Sequence, residues 1–236
     1  MPIIQHLGTA FASGGGDPES TDPFGDSSCR SYYPFNNSGI ELINGWNMNA
    51  SAGAAYTANA KIGTHAYSGT GSNYMQYTGS DVGNVSDYTI NFWYKTSVTA
   101  QANKRVVTLR AASWTSGWSN YAGSLGFYTG NNSGWTTSVT RRMQLPDGWV
   151  NDNQWHMLTS TMTNGNSYNI YIDGSPTSGS SNQGDGRSFN VDSYLAITCY
   201  NQSSGYNTQG FIDNLRIFSR VLSSTEIATL YTMENV

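Results

Sequence analysis

Apolar residues recur at every second position in "YTINFWYKT", where Tyr88, Ile90, Phe92 and Tyr94 fall on one side of an extended chain and Thr89, Asn91, Trp93 and Lys95 on the other. "YNIYIDG" repeats the habit with Tyr168, Ile170 and Ile172, and the flanking Asn164-Gly165-Asn166 and Asp173-Gly174 predict tight turns. "KRVVTLRA", "GSLGFYT" and "SYLAITCY" read as further short strands separated by glycine-bearing loops. This rhythm begins near Cys29 and predicts an all-β fold of antiparallel sheets rather than an alternation of strand and helix. One helix interrupts it, in "RVLSSTEIATLY": Ser223 can cap the first turn, Glu226 can reach back to its amide, and Ile227, Leu230 and Tyr231 share a face.

The start of the chain breaks the pattern. Residues 1–12 are apolar enough to lie against something, with Pro2, Ile3, Ile4, Leu7 and Phe11 as the candidate anchor residues. Residues 13–28 combine three consecutive glycines, two prolines and four acids, a composition that cannot bury a core. The organisation expected is an N-terminal arm and tether over residues 1–28 and a β domain over 29–236. A partner or a sister subunit is expected to hold the arm.

Composition narrows the partners. Only 11% of the 236 residues are charged, against roughly a quarter in ordinary globular proteins, so the surface must be built from Ser, Thr, Asn, Gly and Tyr. The net charge of -4 and the scatter of the cations, adjacent only at Lys104-Arg105 and Arg141-Arg142, give no basic field for phosphates and exclude nucleic acid as the expected partner. No apolar run approaches the roughly 20 residues of a membrane helix. No Lys or Arg precedes Arg30, and the expectation is a protein made without Sec export. Cys29 and Cys199 form no metal-type pair; two buried thiols are the simpler reading, with a disulfide the alternative.

Several stretches in order resemble the concanavalin A-like superfamily, in particular its laminin-G-like branch. "SYYPFNNSG" resembles that family's first strand, "IGTHAYSGTGSNYMQY" its glycine-rich second segment, and "VSDYTINFWYKT" its central strand. "QWHMLTSTMTNGNSYNIYIDGSP" is similar to its Trp-His strand and Tyr-x-Asp-Gly hairpin, and "GFIDNLRIFSRVLSSTEIATLY" to its closing strand and helix. The resemblance implies a two-sheet antiparallel jelly-roll sandwich with one short C-terminal helix, preceded by the extended arm. It also implies the uses of that fold: lectins, accessory domains of glycosidases, virion proteins. Trp155 and His156 then read as a packed indole beside a hydrogen-bonded histidine.

Chemistry is hard to find. Glycosidases of the superfamily need two carboxyl groups a few ångströms apart across the scissile bond. The glutamates here are Glu19, Glu41, Glu226 and Glu234, with no Glu-x-Asp-x-Glu arrangement, and the acid pairs Asp147 with Asp152 and Asp185 with Asp192 fall in Gly- and Asn-rich loop sequence. No Gly-x-Ser-x-Gly elbow, phosphate loop or dinucleotide fingerprint is present, and His6, His65 and His156 lie far apart. The protein is expected not to be an enzyme. No cofactor is required, but relatives of this fold often hold a structural calcium near the closing strand, which points to Asp213 as a candidate ligand. The alternative is that Asp213 accepts hydrogen bonds at the edge of a strand.

The richest segment is residues 112–149, where Trp114, Trp118, Tyr121, Tyr128, Trp135 and Trp149 are interleaved with Asn, Ser, Thr and Gly. Pyranose C–H faces stack on rings while hydroxyls find small polar partners, so the stretch suits a sugar-binding surface; the same rings could equally fill a core or subunit interface. Trp114, Trp118, Tyr121 and Trp135 are the candidate glycan contacts, and the tryptophans are placed in loops by their Gly and Ser neighbours. The expected function is a non-catalytic virion component, of bacteriophage type, assembled in the host cytoplasm and anchored by its arm to other virion proteins or sister subunits. It is expected to self-associate as a homo-oligomer and to meet a cell-surface glycan. A free, extracellular lectin is the alternative.

Overall fold

The computed structural model describes residues 17–51, 53–79, 87–98, 104–110, 114–121, 124–131, 141–145, 150–163, 167–177, 180–182, 194–198 and 207–235. They form two eight-stranded sheets with antiparallel neighbours. The first sheet runs β13 (Ser175–Pro176), β12 (Ser167–Ile172), β11 (His156–Thr163), β6 (Tyr88–Lys95), β16 (Gln209–Phe218), β4 (Ala66–Thr70), β3 (Ala55–Thr57), with β1 (Cys29–Tyr33) also on β16. The second runs β14 (Ser180–Asn182), β10 (Arg141–Gln144), β9 (Ser124–Asn131), β8 (Trp114–Tyr121), β7 (Lys104–Arg110), β15 (Tyr194–Ile197), β5 (Met75–Thr78), β2 (Asn49–Ala50). One helix, α1 (Ser224–Glu234), follows β16. The all-β sandwich with a short C-terminal helix is the fold the alternation predicts.

Between the sheets, Tyr88, Ile90, Phe92 and Tyr94 of β6 meet Leu158, Ile170, Ile212 and Ile217 of neighbouring strands and Met75, Val107, Leu109, Leu195 and Ile197 of the opposite sheet. The other side of β6 is buried too. Trp93, Met157, Tyr171 and Phe218 form a second apolar cluster beneath Ile227 and Leu230 of α1. The helix begins as its sequence predicts, with Ser223 and Glu226 exchanging both bonds of a capping box. Tyr231 stacks on Trp93 with centroids 5.8 Å apart. The first sheet is thus covered on both faces, which is why seven of the eight residues of β6 are buried despite alternating in polarity.

Of the stretch whose composition reads as a tether, residues 17–28 are packed on this outer face. Phe24 lies 5.8 Å from Phe218, and Arg216 Nη2 donates to the carbonyls of Pro18 (2.7 Å) and Ser20 (3.1 Å). Asp26 and Glu226 both bind the Arg220 guanidinium. Of the acids that made the segment look solvated, Asp26 binds Arg220, Glu19 accepts from Asn36, and Asp17 and Asp22 accept from backbone amides within the segment. Arg216 itself is sealed in: it pairs with Glu234 at the end of α1, whose other oxygen accepts from Trp93 Nε1 at 2.6 Å, and its guanidinium stacks over Tyr32. Burial holds the Glu234 carboxyl above its ordinary pKa, with Arg216 opposing.

Candidate functional site

The structure changes the reading of the aromatic stretch. Trp114 and Trp118 lie on β8, in the interior of the second sheet, and not in loops. Thr, Ser, Gly and Asn fill the alternate positions of that strand, so no apolar alternation announces it. Register sorts its positions. Trp118 stands opposite Val107 of β7 and Phe127 of β9, and Ser116 opposite Leu109; Val107 and Leu109 belong to the inter-sheet core. Positions 114 and 118 therefore share the parity of the core-facing set, and position 121 has the opposite parity. On that outer parity Tyr128 stands opposite Gly117 on one neighbouring strand and Arg142 on the other. The side chains of β8, β9 and β10 lie outside the described residues, as do Trp135, Trp149, Cys199 and the arm residues Pro2, Ile3, Ile4, Leu7 and Phe11.

The described acids are engaged in structure. Glu41 is buried and its carboxylate accepts from four amides: Tyr32 and Ile43 on one oxygen, Asn44 and Trp46 on the other. Glu226 is held in the capping box and by Arg220, which together pull its carboxyl down to about 2. Glu234 is paired with Arg216 and Glu19 accepts from Asn36. Each of the four glutamates thus accepts at least one hydrogen bond within the fold.

Asp213 sits where β16 changes neighbour. β4 pairs with residues 209–212 and β1 with residues 215–218, and the register slips between them. Asp213 Oδ2 fills the break by accepting from the backbone N–H groups of Lys61 (2.8 Å) and Ile62 (3.0 Å). Burial raises its carboxyl to about 7. Among the described residues no group of three or more His, Cys, Asp or Glu side chains could hold a metal ion.

His156 is bound on both ring nitrogens, Nδ1 2.8 Å from Asp173 Oδ2 and Nε2 3.1 Å from Asp152 Oδ1. The hydrogen bond to Asp173 is the main reason its pKa is raised. Asp173 also accepts from the Met157 amide, so the trio ties the start of β11 to the Asp173-Gly174 turn, where both residues have positive φ. Among the described residues no serine, threonine or cysteine hydroxyl or thiol is hydrogen-bonded to the ring, and the arrangement is a staple. Trp155 beside it packs against Phe211. Cys29 is a buried free thiol, pushed up to about 12 by burial. Sequence reasoning missed the Arg216–Glu234–Trp93 cluster; its one signal was an arginine within the apolar run "LRIF".

A family model described as the concanavalin A-like lectin/glucanases superfamily matches residues 68–228. Among solved structures, domain 4 of the extracellular arabinanase AbnA from Geobacillus stearothermophilus, in complex with arabinotriose, is 16% identical with a TM-score of 0.66, covering 86% of this chain and 98% of that one. The binding domain of Paraclostridial Mosquitocidal Protein 1 is 16% identical with a TM-score of 0.65, covering 85% of this chain and 51% of its own. The botulinum neurotoxin serotype D ligand binding domain, in complex with N-acetylneuraminic acid, is 16% identical with a TM-score of 0.61, covering 85% and 49%. The chain thus spans nearly all of the arabinanase domain but about half of each toxin domain. At these identities the likeness is one of fold. No curated protein matches the chain.

Proposed function

The chain belongs to the concanavalin A-like lectin/glucanases superfamily, and on that premise we propose that it is a non-catalytic, lectin-like domain that binds glycan on the outer face of β8, β9 and β10. The observation that carries the reading is the accounting of surfaces and acids. The first sheet is covered on both faces by the core and by α1 with residues 17–28. Three of the four glutamates, Glu41, Glu226 and Glu234, are held by several partners within the fold, and Glu19 accepts from Asn36. What remains for recognition is the second sheet and its rims, where the aromatic residues are concentrated.

Within that face the register favours Tyr121 and Tyr128 over Trp114 and Trp118. Gly117 stands opposite Tyr128, and Ser119, Arg142 and Gln144 share the outer parity, residue types that suit a sugar's C–H face and hydroxyls. Single contacts of this kind are weak, and display in many copies multiplies them. The neighbours that carry bound arabinotriose and N-acetylneuraminic acid lend support from the fold. The low charge, apolar start and glycine link further favour display on a virion, of bacteriophage type, with residues 1–12 as the attachment and neighbouring virion proteins or sister copies as the partners.

The test is a glycan array with the intact protein, with Tyr121→Ala and Tyr128→Ala beside it. The expected result is retention of at least one glycan class by the parent and its loss in both variants, with melting temperatures unchanged. Retention by both variants would remove the site from this face. Incorporation of a protein lacking residues 1–16 into particles would refute the attachment while leaving the lectin reading intact.

A further inference from the structure

Residues 37–47 form a loop alongside β1 that is built around one buried carboxylate. Besides the four amides bound by Glu41, its own amide donates to Asn47 Oδ1, Asn44 Nδ2 donates to the Arg30 carbonyl, and the Leu42 amide donates to that of Tyr32. A charge buried at such density fixes the loop. Yet the side chains it fixes outward are Ile40, Leu42 and Ile43, exposed to 51%, 49% and 37%, the large apolar residues left in water among those described. A rigid, solvent-facing cluster of three aliphatic side chains is a preorganised contact.

Three half-exposed side chains fall well short of the roughly 800 Å² per partner that two folded proteins bury in a stable interface. The occupant is therefore a short segment. The chain carries one: Ile3, Ile4, Leu7 and Phe11 precede a link of Ser13 and three glycines. Its described part begins nearby, since Glu19 accepts from Asn36 Nδ2, and Asn36 is four residues from Ile40, so at most about 14 Å along the chain. Phe11 is six residues from Asp17, a reach of roughly 20 Å, and Leu7 ten residues, roughly 33 Å. A link this short gives the segment an effective concentration of order millimolar at its own domain.

We propose that the apolar knuckle of Ile40, Leu42 and Ile43 is the docking site for this chain's own residues 1–12. The knuckle shelters the arm's aliphatic side chains in the unassembled protein, and attachment to a particle draws them off. The docking does not depend on the lectin reading; the release on attachment rests on the virion reading proposed above.

The experiment pairs Phe11→Cys with Leu42→Cys in a Cys199→Ser background, leaving the buried Cys29 in place, and oxidises the full chain at micromolar concentration. A monomeric cross-linked product, formed at least roughly tenfold faster than with Phe11→Cys and Asn59→Cys, is expected. A dimeric product would hand the knuckle to a sister copy's arm and overturn docking within one chain. Equal rates for the two pairs would overturn the site. Independently, chymotrypsin cleavage after Leu7 and Phe11 should speed up about tenfold when Ile40, Leu42 and Ile43 are all changed to serine, as one buried aliphatic side chain is worth; an unchanged rate would also overturn it. Glycan retention by the same variants stays at the parent level, so a failed array and a failed cross-link point to different errors.

Discussion

His156 responds to pH in the neutral range, because both ring nitrogens face carboxylates. Its pKa is raised in the folded protein, so its contribution to stability is complete below the unfolded value near 6.5 and is lost as pH rises through the folded value. The parent should therefore lose stability relative to His156→Asn between about pH 6 and 8, by on the order of 1 kcal/mol given the partial exposure of both acids; urea melts at the two pH values check this, and parallel curves would refute the staple. Asp213 works in the same direction in a lower window. With a folded pKa of about 7 it binds its proton more tightly folded than unfolded, so its contribution is complete below about pH 3.9 and gone above 7. Asp213→Asn keeps an oxygen for the Lys61 and Ile62 amides and removes the titration, so its stability relative to the parent should climb from pH 4 to 7. The parent's melt should not move with strong chelator; a drop would restore a metal to this position.

At the scale of elements, α1 and β16 depend on each other through a buried ion pair. Arg216 and Glu234 are both fully enclosed, and Glu234 also satisfies the Trp93 indole. Removing one member strands the other: Glu234→Ala should cost about 3–5 kcal/mol, whereas replacing Arg216 and Glu234 together by Met and Leu should cost far less. Denaturant midpoints of the two variants and the parent decide it, and equal losses would mean that packing, not charge, holds the helix. The elements whose apolar period was intact, β6, β12 and α1, were legible in the sequence down to the cap at Ser223 and the turn at Asp173-Gly174. β8 was not, because a strand of Trp, Thr, Ser, Gly and Asn carries no period-two apolar signal, even though its partners β7 and β9 are its neighbours in sequence. The same blindness hid the clusters: Arg216 meets Pro18, Ser20 and Glu234 only once β16 has placed it. For the candidate site, the sequence located the aromatic strip but not its faces, since parity relative to the core is a property of register.

At the scale of the whole molecule, the two ends of the described chain meet on one side. Arg216 touches the backbone near residue 18 and the side chain of residue 234, and Arg220 joins Asp26 to Glu226. The helix and the N-terminal segment are a single lid over the outer face of the first sheet, and the glycan face proposed here lies on the other sheet. The arrangement also locates the edge of the folding unit. A chain lacking residues 1–16 retains Phe24, Asp26 and both carbonyls that receive Arg216. A chain lacking residues 1–28 exposes the Phe218 side of the cluster beneath α1 and leaves buried guanidinium N–H groups unbonded. Exposing one aromatic contact costs about 1.5–3 kcal/mol, and an unsatisfied buried charged donor about as much again. The longer deletion should therefore be about 3–5 kcal/mol less stable than the shorter one, read as the difference in urea midpoints at matched slope. If the two deletions melt together, residues 17–28 are a tether after all, and the lid consists of the helix alone.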